Sequence, residues 1–171
     1  MDRQEFDEFF AGSYARITAQ VYAMIGSRDE AEECVQEAFV RAWHHRGQLD
    51  HVRHPEAWVR TTAYRLAVSR WRRVVRARRA PDRALSPAGH TPGVSETHVA
   101  LVAALRQLPE AQRRTLVLHH IADLSVEEVA AELSIPVGTV KTRLRRGRAT
   151  LATLLADANP TEATAEGAHH G

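Results

Sequence analysis

The stretch Leu124–Leu151, LSVEEVAAELSIPVGTVKTRLRRGRATL, allows few structures. Ser125 and Glu128 have the spacing of a capping box, in which each side chain satisfies a backbone donor at the start of a helix. Val126, Val129, Ala130 and Leu133 then recur at helical spacing and give that helix one apolar face. Ser134, Ile135 and Pro136 break the pattern, and proline suits the first turn of a following helix because it has no N–H to lose there. The second helix is expected to bury Val140, Leu144 and Leu151. It turns Thr139, Lys141, Thr142, Arg145, Arg146 and Arg148 outward, with Arg143 beside them. Short helix, tight turn and basic helix make a helix-turn-helix, the geometry that lays a recognition helix in the major groove of DNA. The plainer reading is a solvated basic face, since arginine is itself a good helix former. Cap, turn proline and one-sided charge together favour the DNA reading.

The chain has 171 residues, enough for one medium domain or two small ones. Aromatic residues are only 6%, so the cores must be built mainly from Ala, Val and Leu. The net charge of +2 hides an uneven distribution. Residues 1–60 carry seven basic and eleven acidic side chains, and residues 61–90 carry eight and one. Residues 91–136 carry three and six, and residues 137–156 carry five and none. Two basic blocks in an otherwise acidic chain suggest two contact points on one polyanion. Cys34 is the single cysteine and cannot form an internal disulfide. It sits among apolar helix positions and reads as a small buried hydrophobe. No Cys/His cluster has zinc-ligand spacing, so neither metal nor cofactor is expected. No apolar run is long enough to insert in a membrane and no signal-peptide pattern is present, so a cytoplasmic location is expected.

Nothing argues for strands, and the expected fold class is all-α: two small helical domains joined by a flexible linker, the C-terminal one holding the helix-turn-helix. A first helix is predicted from about Arg3 to Ile25, with Phe6, Phe9, Phe10, Tyr14, Ile17, Val21 and Met24 on one stripe, stopped by Gly26. Ser27 and Glu30 suggest a second capping box opening a helix to about Arg46, which buries Ala31, Val35, Ala38, Phe39 and Ala42 and is stopped by Gly47. Gln48–His54 reads as a polar loop. Pro55 opens a third long helix through Ala80, carrying Trp58, Tyr64, Trp71 and the dense run Arg70, Arg72, Arg73, Arg76, Arg78, Arg79. The first domain is thus 1–80. Residues 81–94, rich in Pro and Gly, read as the linker. The second domain is 95–157, with helices predicted at Ser95–Gln107 and Pro109–Ile121 before the two motif helices. Residues 158–171 read as a disordered tail, whose His169 and His170 are too few to make a metal site.

Three segments carry a family resemblance: AEECVQEAFVRAW, PEAWVRTTAYRLAVSRWRR, and the block from LPEAQRRTL to the end of the helix-turn-helix. Together they resemble the extracytoplasmic-function (ECF) group of bacterial sigma factors, in the sigma-70 family, over about Phe6 to Leu155. VGTVKTRL closely follows that family's GTVKSRL, and the VQEAF block separates it from other helix-turn-helix proteins. The resemblance implies a sigma factor with no catalytic residue of its own, directing promoter-specific initiation by core RNA polymerase. Glu33, Gln36, Glu37 and Arg41 would dock on the clamp helices of the largest polymerase subunit, and the C-terminal domain would meet the flap. The loop 48–54 and the helix from Trp58 would melt the −10 promoter element and hold it as single strand, through His54, Trp58, Arg60, Tyr64, Arg65, Arg72 and Arg73. The recognition helix would read the −35 element as duplex. Lys141, Thr142, Arg145 and Arg146 are the candidates for base edges, Arg143 and Arg148 for phosphates, and Thr139 for a phosphate at the helix N-terminus. Promoter DNA, core polymerase and an anti-sigma factor are the implied partners. The chain departs from the pattern at Arg65, where many relatives have Asn, at Ser69, where many have Asp, and at Arg60, where an aromatic is common. Cys34 replaces a usual Leu, and Gly147 replaces a usual Ala at a cost of about 1 kcal/mol in helix propensity.

Two other readings compete. A stand-alone helix-turn-helix regulator would need a dimerisation or ligand-sensing domain, and the N-terminal half offers no heptad seam for one. A serine recombinase, with Ser13 as nucleophile, would need an α/β catalytic domain that this helical pattern does not suggest.

Overall fold

Asp2 opens the first helix, with a capping box that the sequence reading did not pick out. The Glu5 amide donates to the Asp2 carboxylate at 2.8 Å, and the Asp2 amide donates to Glu5 at 2.7 Å. The computed structural model describes residues 1–78 and 96–158. The whole of the predicted linker, at 81–94, and the predicted tail beyond Ala158, with His169 and His170, lie outside the described residues. Helix α1 spans Arg3–Ile25 and ends at Gly26, whose φ of 79° is the left-handed cap that glycine adopts without a Cβ penalty.

Helix α2 spans Arg28–His44. Ser27 accepts from the Glu30 amide at 3.4 Å, but the return bond of a capping box is not formed. Gly47 does not stop this helix; it lies inside a single-turn helix, α3, at Arg46–Leu49. The reason is Leu49, which is 2% exposed and pulls the supposed polar loop onto the core. Arg46 braces the same turn, lying over the Trp43 ring at 4.2 Å and donating to the Trp43 carbonyl. The true loop is 50–54, and Pro55 begins α4, Pro55–Arg78. Helices α1, α2 and α4 enclose the first core. Alanines 31, 38, 42, 63 and 67 let the helices approach closely there, while Phe39 gathers Phe6, Phe9, Phe10 and Tyr14 at ring separations of 5.0–6.3 Å.

The second unit holds α5 (Glu96–Arg106), α6 (Glu110–Leu116), α7 (Val126–Leu133) and α8 (Val137–Ala158). The expected continuous helix to Ile121 widens into a π-turn at Val117–Ile121, where the Ala122 amide reaches back to the Val117 carbonyl at 2.9 Å. Its added residue puts Val117 and Leu118 both fully in the core. The predicted capping box at Ser125 and Glu128 is present in both arms, at 3.1 and 2.8 Å. Ser134 takes the left-handed conformation (φ 54°) that turns the chain between α7 and α8. Pro136 caps α8 from just outside, its carbonyl accepting from Thr139 and Val140.

Gly147 corrects a sequence expectation. A Cβ there would lie 2.8 Å from Leu116 Cδ1 and 3.2 Å from its Cγ, so glycine lets α8 press against α6. The propensity cost is offset by packing.

The second core does not close on itself. Ala23 and Met24 at the end of α1, and Tyr64 on α4, belong to it together with Leu105, Leu108, Val117 and Val140. The two units therefore share a packed face. Among the described residues there is no strand, against the α/β domain that a recombinase needs. Ser13 is buried and donates its hydroxyl to the Phe9 carbonyl at 2.5 Å, which removes it as a nucleophile.

Candidate nucleic-acid interface

Helix α8 presents Lys141, Arg145, Arg146 and Arg148 to solvent, with Thr139, Thr142 and Arg143 half-buried at the edges of that face. Val140 and Leu144 are buried behind them and fix the rotation of the helix. Lys141, Arg145 and Arg148 follow one another at i, i+4 and i+7, so they stand in a row. None of the α8 cations makes a salt bridge within the described residues. Thr142 spends its hydroxyl proton on the Gly138 carbonyl at 3.0 Å, so toward a ligand it offers lone pairs. Arg148 donates through Nε to His120 Nε2 at 3.1 Å, which requires the imidazole proton on Nδ1. Burial, then His119 and Arg148, hold His120 below the usual histidine range, so it stays neutral and braces the arginine.

The α4 residues expected to hold single-stranded DNA divide into two groups. His54, Arg65, Arg72 and Arg73 are exposed and Trp58 is half-buried. Arg60 and Tyr64 are buried and engaged by the second unit. Arg60 forks onto Glu132 of α7, Nε to Oε1 at 3.0 Å and Nη2 to Oε2 at 2.6 Å, while Nη1 donates to Gln20 at 2.8 Å. Tyr64 donates its hydroxyl to Glu110, and Arg114 covers its ring at 4.2 Å. Burial first, then Glu110, push the phenol pKa up. A cleft of about 880 Å³ runs beside these contacts, with His54, Trp58 and Arg65 on one wall and Glu127, Glu128 and Glu132 on the other. Trp71 is 62% exposed among the α4 arginines.

On α2, Glu33, Gln36 and Arg41 are exposed and Glu37 half-buried, on one face as predicted. Glu33 pairs with Arg70 at 2.8 Å, Glu37 with Arg41 at 2.9 Å, and Gln36 donates to the Tyr14 hydroxyl at 3.4 Å. Val40, 53% exposed in the middle of this face, was missed because its neighbours in sequence, Phe39 and Ala42, are core.

Two family models match the chain: Sigma-70 region 2 over residues 10–78, and Sigma-70, region 4 over residues 98–151. The ECF RNA polymerase sigma factor SigW of Bacillus subtilis is 32% identical over 156 residues, covering 80% of this chain and 81% of that protein. This chain belongs to the ECF group of sigma-70 factors. SigM of Mycobacterium tuberculosis, another ECF sigma factor, is 27% identical over 154 residues, covering 90% of this chain and 79% of that one. Two solved structures share the fold of this sigma factor. One is RpoE in complex with the anti-sigma factor NepR from Bartonella quintana, with a TM-score of 0.74 and 22% identity over 89% of this chain and 97% of that one. The other is CnrH in complex with the cytosolic domain of CnrY, at 0.69 and 24% over 92% and 91%. As a sigma factor, the protein directs RNA polymerase to promoters and initiates transcription there. No described helix of it is long and apolar enough to cross a membrane.

Proposed function

We propose that this sigma factor divides promoter reading between its two units. Residues 1–80 dock on core polymerase and hold the −10 element, and residues 95–157 read the −35 element. The observation that carries this is the α8 face, where four exposed cations have no carboxylate partner and are held in register by a buried apolar stripe. Such a face is matched to phosphates and to the acceptor edges of bases. On α4, exposed Arg65, Arg72 and Arg73 hold strand phosphates, with Trp58 and Tyr64 supplying stacking surface when accessible. Glu33, Gln36, Glu37 and Arg41, with Val40 at their centre, form the polymerase-docking face of α2. The phosphoryl transfer belongs to the polymerase, so the protein needs no catalytic residue. It works in the cytoplasm, where an anti-sigma factor holds it inactive until released.

Run-off transcription with core polymerase on a library of genomic promoters tests the reading. Transcripts should start downstream of a common pair of elements, and should fail when either element is scrambled. Starts unaffected by the upstream element would remove the −35 role from α8.

A further inference from the structure

We propose that the chain closes on itself: α7 and the start of α6 form an acidic lid over the strand-binding face of α4, and the Arg60–Glu132 pair is its latch. This rests on the reading of α4 as the holder of the −10 strand.

The latch side chains are 3% and 5% exposed and lie 72 residues apart in sequence. Glu132 places two oxygens in the fork of one guanidinium, the geometry by which arginine also grips a phosphate. Gln20 takes a third arginine donor, and the Thr61 hydroxyl lies 3.4 Å from Glu132 Oε1. Tyr64 is closed off in the same way: Glu110 takes its hydroxyl, and Arg114 covers the ring on which a base would stack. Glu127 and Glu128 line the cleft opposite His54 and Arg65, so the wall facing the strand site carries the charge sign of nucleic acid. A polyanion and the lid therefore compete for the same α4 groups. A buried ion pair of this kind adds little net stability but strongly specifies one arrangement, because losing either partner strands the other charge away from water. Polymerase and promoter, which need α4 uncovered, would draw the equilibrium toward the open form by mass action.

The test uses the full chain and the substitution Glu132→Gln, followed in two ways. Small-angle scattering reports opening, and the anisotropy of a short fluorescein-labelled oligothymidylate reports access to α4. Stranding Arg60 should shift the closed-to-open equilibrium on the order of 100-fold, giving a larger radius of gyration and tighter oligonucleotide binding at unchanged helix content. Glu110→Gln should act in the same direction more weakly. The double change Arg60→Leu with Glu132→Leu, which removes both charges together, should remain compact. If both single variants stay as compact as the parent, the latch is overturned, whatever the protein does in transcription. If they open without gaining affinity for the oligonucleotide, the inhibitory role falls, and so does the reading of α4 as the strand holder.

Discussion

Gly147 and Leu116 decide how closely α8 approaches α6. By propensity alone, Gly147→Ala should gain about 1 kcal/mol. The new methyl would meet Leu116, which is buried and has little room to move, and overpacking of that kind costs about 1–3 kcal/mol. A net loss of about 1 kcal/mol is expected, read as a lower urea midpoint at unchanged slope. On the opposite face, Arg146→Ala and Lys141→Ala should each weaken −35 binding by about 1–3 kcal/mol and relax specificity if the side chains reach base edges. Equal losses on specific and random duplex would make them phosphate contacts instead. Most individual positions of α8 were readable from spacing, because Val140 and Leu144 set which side faces out. Arg60 was not. The family resemblance set it beside the −10 strand, and nothing local to it in the sequence points to a carboxylate 72 residues away. Gly147 misled for the same reason, since its justification sits on another helix.

At the level of elements, α7 depends on its cap. The Ser125 amide and hydroxyl, with smaller help from His54 and Arg53, hold the Glu128 carboxyl below its ordinary value of 4.5. A lowered carboxylate contributes stability that is full above its unfolded pKa and disappears as pH falls through its folded one. The thermal midpoint should therefore drop on acidification below about pH 4.5, and Glu128→Gln should flatten that part of the profile. Ser125→Ala should cost about 1 kcal/mol at neutral pH, measured by the same melt. For α2, the double change Gln36→Ala with Glu37→Arg should weaken pull-down of core polymerase while circular dichroism stays unchanged. Retention of full binding would remove this face from the docking site. The bounds of α1 and both arms of the α7 cap were legible because their signals are local: a left-handed glycine in one case, a serine three residues before a glutamate in the other. Gly47 and the π-turn were not. Leu49 and Leu118 settle those places by packing into cores that the sequence does not display.

At the scale of the whole molecule, the free protein should bind promoter duplex poorly in a gel shift, and a specific complex should appear when core polymerase is added. A tight complex with operator duplex alone would favour the stand-alone regulator instead. The two-unit, all-helical plan was readable from periodicity and charge blocks. The shared face was not, since Met24 and Tyr64 look like ordinary members of their own helices and only the folded chain shows them packed with the second unit. That arrangement also distributes the three tryptophans unevenly. Trp43 lies beneath Arg46, Trp58 lines the cleft between the units, and Trp71 stands in solvent among arginines. The molecule thus carries its own optical gauge. Iodide, an anion drawn to the arginines, should quench Trp71 preferentially, and the emission that remains should redden as Trp58 is wetted. Separation of the two halves can then be timed in a stopped-flow mixer without attaching a dye.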